Sequence, residues 1–220
     1  MDTIECIKTR MSIRKFMPDP VSKDTLMDVI NTAKHSPSYK NTQPWEAIIL
    51  SGEKKQALSN MLVDLIEKGT KPCPDIPEPQ SWPEKEQARI TSLMQKRAAV
   101  TGIDFSDPAI IKKSKEINFN FYGAPHAIYL YQDKSLTPWS IFDIGLFAQT
   151  LMLAAHASGL GTVPQAFATD YAQDIKKFLE IPDTKRLILG ISIGYPDKEA
   201  AEKAIKTDRD NMENFVKWVE

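Results

Sequence analysis

At 220 residues the chain is long enough to bury one substantial core. Its 28 Lys and Arg against 29 Asp and Glu leave a formal charge of -1. No global field therefore favours nucleic acid or an anionic membrane, and any basic site must be local. The two cysteines, Cys6 and Cys73, lack CxxC spacing, and His35, His126 and His156 lack metal-ligand spacing, which argues against a structural disulfide and a metal site.

The N-terminal stretch MDTIECIKTR carries acidic residues where a signal peptide carries positive ones. Residues 2–9 form a short helix that delivers Arg10 at its end. In PVSKDTLMDVINTAKHSP, Ser22 is an N-cap candidate, and Leu26, Val29, Ile30 and Ala33 make one helical face halted by Pro37. WEAIIL (45–50) suits a buried strand, and a helix follows over 53–67. Pro72, Pro74, Pro77, Pro79 and Pro83 then rule out regular structure and predict an extended excursion over the surface. Helical patterns resume over 84–100 and 108–121. HAIYLY (126–131) is a second strand.

The helix from Ser140 to Ser158 ends at Gly159. It is apolar nearly all round, so it lies at the centre of the fold or against another chain. The polar residues Asp143, Gln149 and His156 within this stretch mark a buried helix, not a membrane span. RLILGISIGY is a third strand, apolar enough to be covered on both faces. The tail TDRDNMENFVKWVE reads as a closing helix. Together these elements give a soluble, cytoplasmic α+β protein.

Four segments carry candidate chemistry. Arg10 and Arg14 flank Ser12, and guanidinium forks suit the oxygens of one anion. The same pair is also ordinary solvated charge. SPSYKNTQPW holds small hydrogen-bonding residues between Pro37 and Pro44, rigid enough to face a planar heterocycle, though it also serves as a plain helix-to-strand connection. In GLGTVPQAF two glycines let the backbone approach something closely. In KTDRD, Lys206 and Arg209 bring further cations. GxGxxG, Walker A, GxSxG and HExxH patterns are all absent. Anion binders without acids, bases or nucleophiles suggest that a bound cofactor supplies the chemistry.

RMSIRKF, SPSYKNTQPW, NFNFYGAPHAIYLY, DIGLFAQTLMLAAHASGLGTVPQAF and GISIGYPD with KTDRD stand in the order seen in FMN-dependent nitroreductases. The chain resembles that family over nearly its whole length, and PQSWP with GLGTVPQ resembles its nitrobenzoate and nitroaromatic reductase branch. The resemblance implies a single FMN-binding domain over 1–220, with a Pro-rich and helical excursion at about 69–101. It implies an α+β sandwich, a central mixed sheet flanked by helices, and an intertwined homodimer with FMN at the interface. Arg10 and Arg209 would then grip the FMN phosphate, with Ser12 nearby and Lys206 either a phosphate neighbour or solvated charge. Arg14 would face the pyrimidine end of the flavin.

Pro37, Ser38, Tyr39 and Asn41 would contact the flavin from the partner subunit, with Gln43 close by. Pro164, Gln165 and Ala166 would line the ring edge, with backbone N–H groups facing N5 and O4 and no side-chain acid required. Some family members carry Lys at Arg14 and Glu at Gln165, so potential or substrate range can differ. The implied activity is ping-pong oxidation of NAD(P)H with reduction of a nitroaromatic or quinone. Reductive dehalogenation or metabolite dehydrogenation on the same flavin, and a non-turnover redox sensor, are the alternatives.

Overall fold

The computed structural model describes all 220 residues. Asp2 opens α1 (Thr3–Thr9) by accepting the N–H groups of Ile4 and Glu5 at 2.9 and 3.1 Å. The helix stops at Arg10, whose ψ of 127° is no longer helical. Helix α2 (Lys23–Ala33) starts at Ser22, whose hydroxyl accepts the Thr25 N–H at 3.1 Å. It buries Leu26, Val29 and Ala33, as their spacing predicts. After it come β1 (Glu46–Ser51), α3 (Gly52–Glu67), α4 (Glu84–Thr101), α5 (Pro108–Phe119), β2 (His126–Asp133) and α6 (Pro138–Ala157). The chain continues through β3 (Gly161–Gln165), α7 (Ala172–Leu179), β4 (Lys185–Gly194) and α8 (Lys198–Glu202).

The strands pair in the order β1-β2-β4-β3, and every pairing is antiparallel. This corrects the expected mixed sheet. β2 and β3 run the same way, but β4 lies between them, so no two neighbours are parallel. Along the outer edge of β3 a parallel bridge joins Ser12 to Thr162, and the Ile13 N–H donates to the Thr162 carbonyl at 2.9 Å.

Alternate residues of β2 enter opposite layers, as the two-residue strand period requires. Ala127 and Tyr129 pack with Leu58, Leu62 and Phe119 of α3 and α5. Ile128 and Leu130 pack with Val29 of α2 and with Ile144, Phe147 and Leu151 of α6. The sheet is thus covered on both faces, which explains the continuous apolar run of β4. Each fully buried Leu or Ile contributes roughly 1.5–3 kcal/mol relative to exposure.

The proline-rich stretch runs exposed over the surface without regular structure, as expected, and is pinned at a few points. Lys176 of α7 is fully buried, and its ammonium meets the two Asp75 carboxylate oxygens at 3.2 and 3.0 Å. The same carboxylate accepts the Leu187 N–H at 2.9 Å, and Cys73 N–H donates to the Asp170 carbonyl at 2.7 Å. Removing either ion leaves the other buried and uncompensated, at a cost of about 3–5 kcal/mol.

The expected closing helix does not form. The tail makes one 3-10 turn at Met212–Asn214 and leaves Met212, Phe215, Trp218 and Val219 exposed. These apolar residues find no surface of their own chain to cover, and packing is what usually stabilises a short helix. Helix α6 likewise keeps one face bare: Trp139 is 64% exposed and Phe142 60%.

Candidate active site

The segment leaving α1 carries Arg10, Ser12 and Arg14 along the free edge of β3. Gly161 makes this approach possible, since a Cβ there would stand 2.7 Å from Ile13 Cγ1. The close approach anticipated at this glycine is made by the chain's own Ile13. Gly159, with φ of 77°, has the different task of closing α6 in the left-handed region.

Arg10 is partly buried, and its Nη1 has no hydrogen-bond partner. Burial first, and then neighbouring Arg209, push the pKa of this guanidinium below its ordinary value. Arg209 folds back on its own loop, its Nη1 donating to the Thr207 carbonyl at 3.2 Å, Thr207 Oγ1 at 2.9 Å and the Asp208 carbonyl at 2.8 Å. Two like charges held together with a donor unused form a seat that an anion completes. Lys206 lines the adjoining cleft with Arg89, Lys96 and Arg209. There α4 is tied to the tail segment by Lys96 to Asp208 and Arg89 to Asp210. Asn214 and then Arg89 hold the Asp210 carboxyl down to about 2.

Arg14 is exposed, and its Nη1 lies 3.5 Å from the Ser12 carbonyl. With Ser12 it lines a cavity of about 300 Å³ closed on the far side by α4 and α8.

The loop from Pro37 to Gln43 sits elsewhere. Lys40, Asn41 and Gln43 adopt φ of 50°, 57° and 45°, in the left-handed region that non-glycine residues avoid. The strain is held by Gln43 N–H donating to Ser38 Oγ at 3.0 Å and by the Gln43 side chain donating to the Asn41 carbonyl at 3.3 Å. Asp143 of α6 accepts the Tyr39 N–H at 3.2 Å on each oxygen, and the Tyr39 ring stacks on Trp139. Pro37, Tyr39 and Asn41 stay exposed. The opposite end of α6 meets the arginine segment, where Thr9 Oγ1 and His156 Nε2 are 2.9 Å apart. Asp143 and His156 are both on α6, so at 1.5 Å per residue the two contacts lie about 20 Å apart along it. One chain brings Arg10, Ser12 and Arg209 together but keeps the loop away from them.

At the end of β3, Pro164 and Ala166 are exposed, while Gln165 points inward and is buried. Its amide donates to the Asn118 carbonyl at 2.8 Å and lies 3.3 Å from Asn118 Oδ1, and the Ser192 hydroxyl donates to its carbonyl oxygen. A carboxylate here would face the two Asn118 oxygens without a proton to give, so the position suits glutamine.

The Nitroreductase family model matches residues 7–195. The chain belongs to the nitroreductase family. The 4-nitrobenzoate reductase of Pseudomonas putida is 32% identical over 214 residues, covering 97% of this chain and 93% of that protein. Among solved structures, the FMN-dependent nitroreductase NfnB from Mycobacterium smegmatis in complex with NADPH superposes with a TM-score of 0.92 at 30% identity, over 99% of this chain and 97% of its own. The FMN and NADPH-dependent nitroreductase NfnB from a Sphingopyxis strain gives 0.94 at 26% identity, over the full length of both chains.

Sequence reasoning missed several residues of this nitroreductase. Asp143 holds the 37–43 loop, yet inside an apolar helix it signalled only burial. Asn118 and Ser192 fix Gln165 from α5 and β4, a contact that no local spacing announces. Arg97 of α4 lines the same cavity as Arg14, but on a highly charged helix nothing distinguished it from its neighbours.

Proposed function

We propose that this nitroreductase is an FMN-dependent NAD(P)H oxidoreductase, acting as a cytoplasmic homodimer on nitroaromatic or quinone-like acceptors. The observation that carries the reading is Arg10, whose buried Nη1 lacks an acceptor beside the like charge of Arg209. A phosphate supplies both the oxygen and the countercharge. Arg10 and Arg209 hold the FMN phosphate, with Ser12 and Lys206 beside it. Arg14 lies at the pyrimidine edge, where two-electron reduction places negative charge that a cation favours. Pro164, Gln165 and Ala166 offer backbone along the ring, and the buried Gln165 side chain takes no proton. When bound, FMN would supply the redox chemistry, hydride acceptance from NADPH or NADH and electron delivery to the acceptor.

Pro37, Ser38, Tyr39, Asn41 and Gln43 lie about 20 Å of helix away from their own arginine cluster, so they serve the site of the second subunit. The bare Trp139 and Phe142 face supports that pairing. Residues 1–220 act as one domain, with the excursion at 69–101 walling the cleft. A single flat slot used in turn by nicotinamide and acceptor gives ping-pong kinetics. The FMN and NADPH of the two solved relatives and the nitroaromatic substrate of the Pseudomonas protein support this reading.

The purified protein is expected to be yellow, and anaerobic NADPH or NADH should bleach the flavin absorbance. Initial-rate plots at several acceptor concentrations should be parallel. A colourless protein that cannot be reconstituted with FMN would overturn the proposal.

A further inference from the structure

Helix α6 ends beside the arginine segment with a histidine. The Thr9 hydroxyl gives its proton to the Glu5 carbonyl at 2.7 Å, so it accepts from His156, whose Nε2 donates to it at 2.9 Å. Nε2 is thus protonated in either charge state of the ring, and Nδ1, which makes no hydrogen bond within the chain, is the atom that titrates. A proton added there breaks no existing contact. His156 and Arg10 line one cavity of about 340 Å³, into which Lys198 and Glu202 of α8 and the amino terminus at Met1 also reach. On α1, Asp2, Glu5 and Lys8 are exposed, and the Cys6 thiol donates to the Leu153 carbonyl. The only charged residue of α6 itself is Asp143, near its other end.

Burial first, and then Arg10, hold the His156 pKa below the ordinary value of a histidine. The guanidinium that repels this ring is the same one whose buried Nη1 lacks an acceptor. An anion seated on Arg10 replaces that repulsion with attraction and favours the charged ring. We propose that His156 is a pH-responsive third cation of the phosphate seat, taking up a proton as the FMN phosphate settles on Arg10 and tightening the hold by its charge. It acts beside Arg10 and through the local field, as a positioning residue and not a catalytic one. The assignment rests on the phosphate reading of Arg10 and adds a proton to the binding equilibrium.

Dilution of the FMN-loaded protein at about pH 6, 7 and 8, with released flavin read by its fluorescence, gives the dissociation constant on both sides of the histidine range. Over that range the constant should rise about three- to ten-fold more in the wild type than in His156→Gln. The comparison cancels the titration of the phosphate itself. His156→Lys, whose charge persists throughout, should show the shallow profile of the glutamine variant with the tight binding of the wild type at the acid end. Parallel profiles in the wild type and His156→Gln overturn the assignment. Weakened FMN retention at every pH in His156→Lys does so too, by making the ring a structural prop. A wild type that holds no FMN defeats the phosphate reading itself, and this assignment with it. A wild type that holds FMN with the profile of His156→Gln defeats only the latter.

Discussion

Arg10 and Arg209 repel one another, so each is a sensitive probe of the proposed phosphate seat. Arg10→Ala or Arg209→Ala removes a charge-assisted hydrogen bond of about 1.5–3 kcal/mol. The FMN dissociation constant should rise by roughly ten-fold to a hundred-fold, and the two losses should not add, because both residues hold one group. Flavin fluorescence titration measures this, and unchanged affinity in both variants would contradict the placement. In the sequence Arg10 drew attention only through its spacing from Arg14, a pair equally readable as solvated charge, whereas Arg209 was singled out by the family resemblance. Gln165 was legible as a position but not as an orientation. Its direction depends on the pleat of β3 and on Asn118, 47 residues away.

Among the elements, His126 ties three together. Its Nε2 accepts the Val21 N–H at 2.9 Å just before α2, and its Nδ1 lies 2.5 Å from Ser51 Oγ where β1 passes into α3. The Val21 bond is open only to the neutral ring. Burial, and then Lys55, push the His126 pKa below its ordinary value. The unfolded chain therefore takes up this proton first as pH falls. The contribution of His126 is fully present above about pH 6.5 and is lost below it as pH falls toward the folded-state pKa. The decrease in Tm between pH 7 and pH 5, at one protein concentration, should be smaller in His126→Gln than in the wild type. Equal decreases would show that this ring does not titrate against folding.

Helix α2 was legible because Ser22 and the spacing of Leu26, Val29 and Ala33 are local signals. β3 was not, because its five residues include Gly161 and Pro164, both of which argue against a strand. As an edge strand beside the Ser12 segment, it tolerates them. The tail failed as a helix for the complementary reason: its apolar residues depend on a surface that its own chain does not offer.

For the whole molecule, the length of α6 sets the architecture. It holds the Tyr39 loop near one end and meets the arginine segment at the other, the separation on which the proposed two-subunit site rests. The all-round apolarity of this helix left a central position and a second chain as alternatives in the sequence, and only the fold shows that Trp139 and Phe142 stay exposed. Trp139→Glu combined with Phe142→Glu places charge on the exposed face and should shift sedimentation from dimer to monomer with loss of bound FMN. A double variant that stays dimeric and yellow would place the interface elsewhere. The most direct test is a crystal structure of the FMN-loaded protein. The phosphate is expected within hydrogen-bond distance of Arg10 and Arg209 of one subunit, with residues 37–41 of the other subunit against the same flavin. A flavin held by a single chain, or Arg10 and Arg209 turned away from it into solvent, would contradict the two-subunit seat.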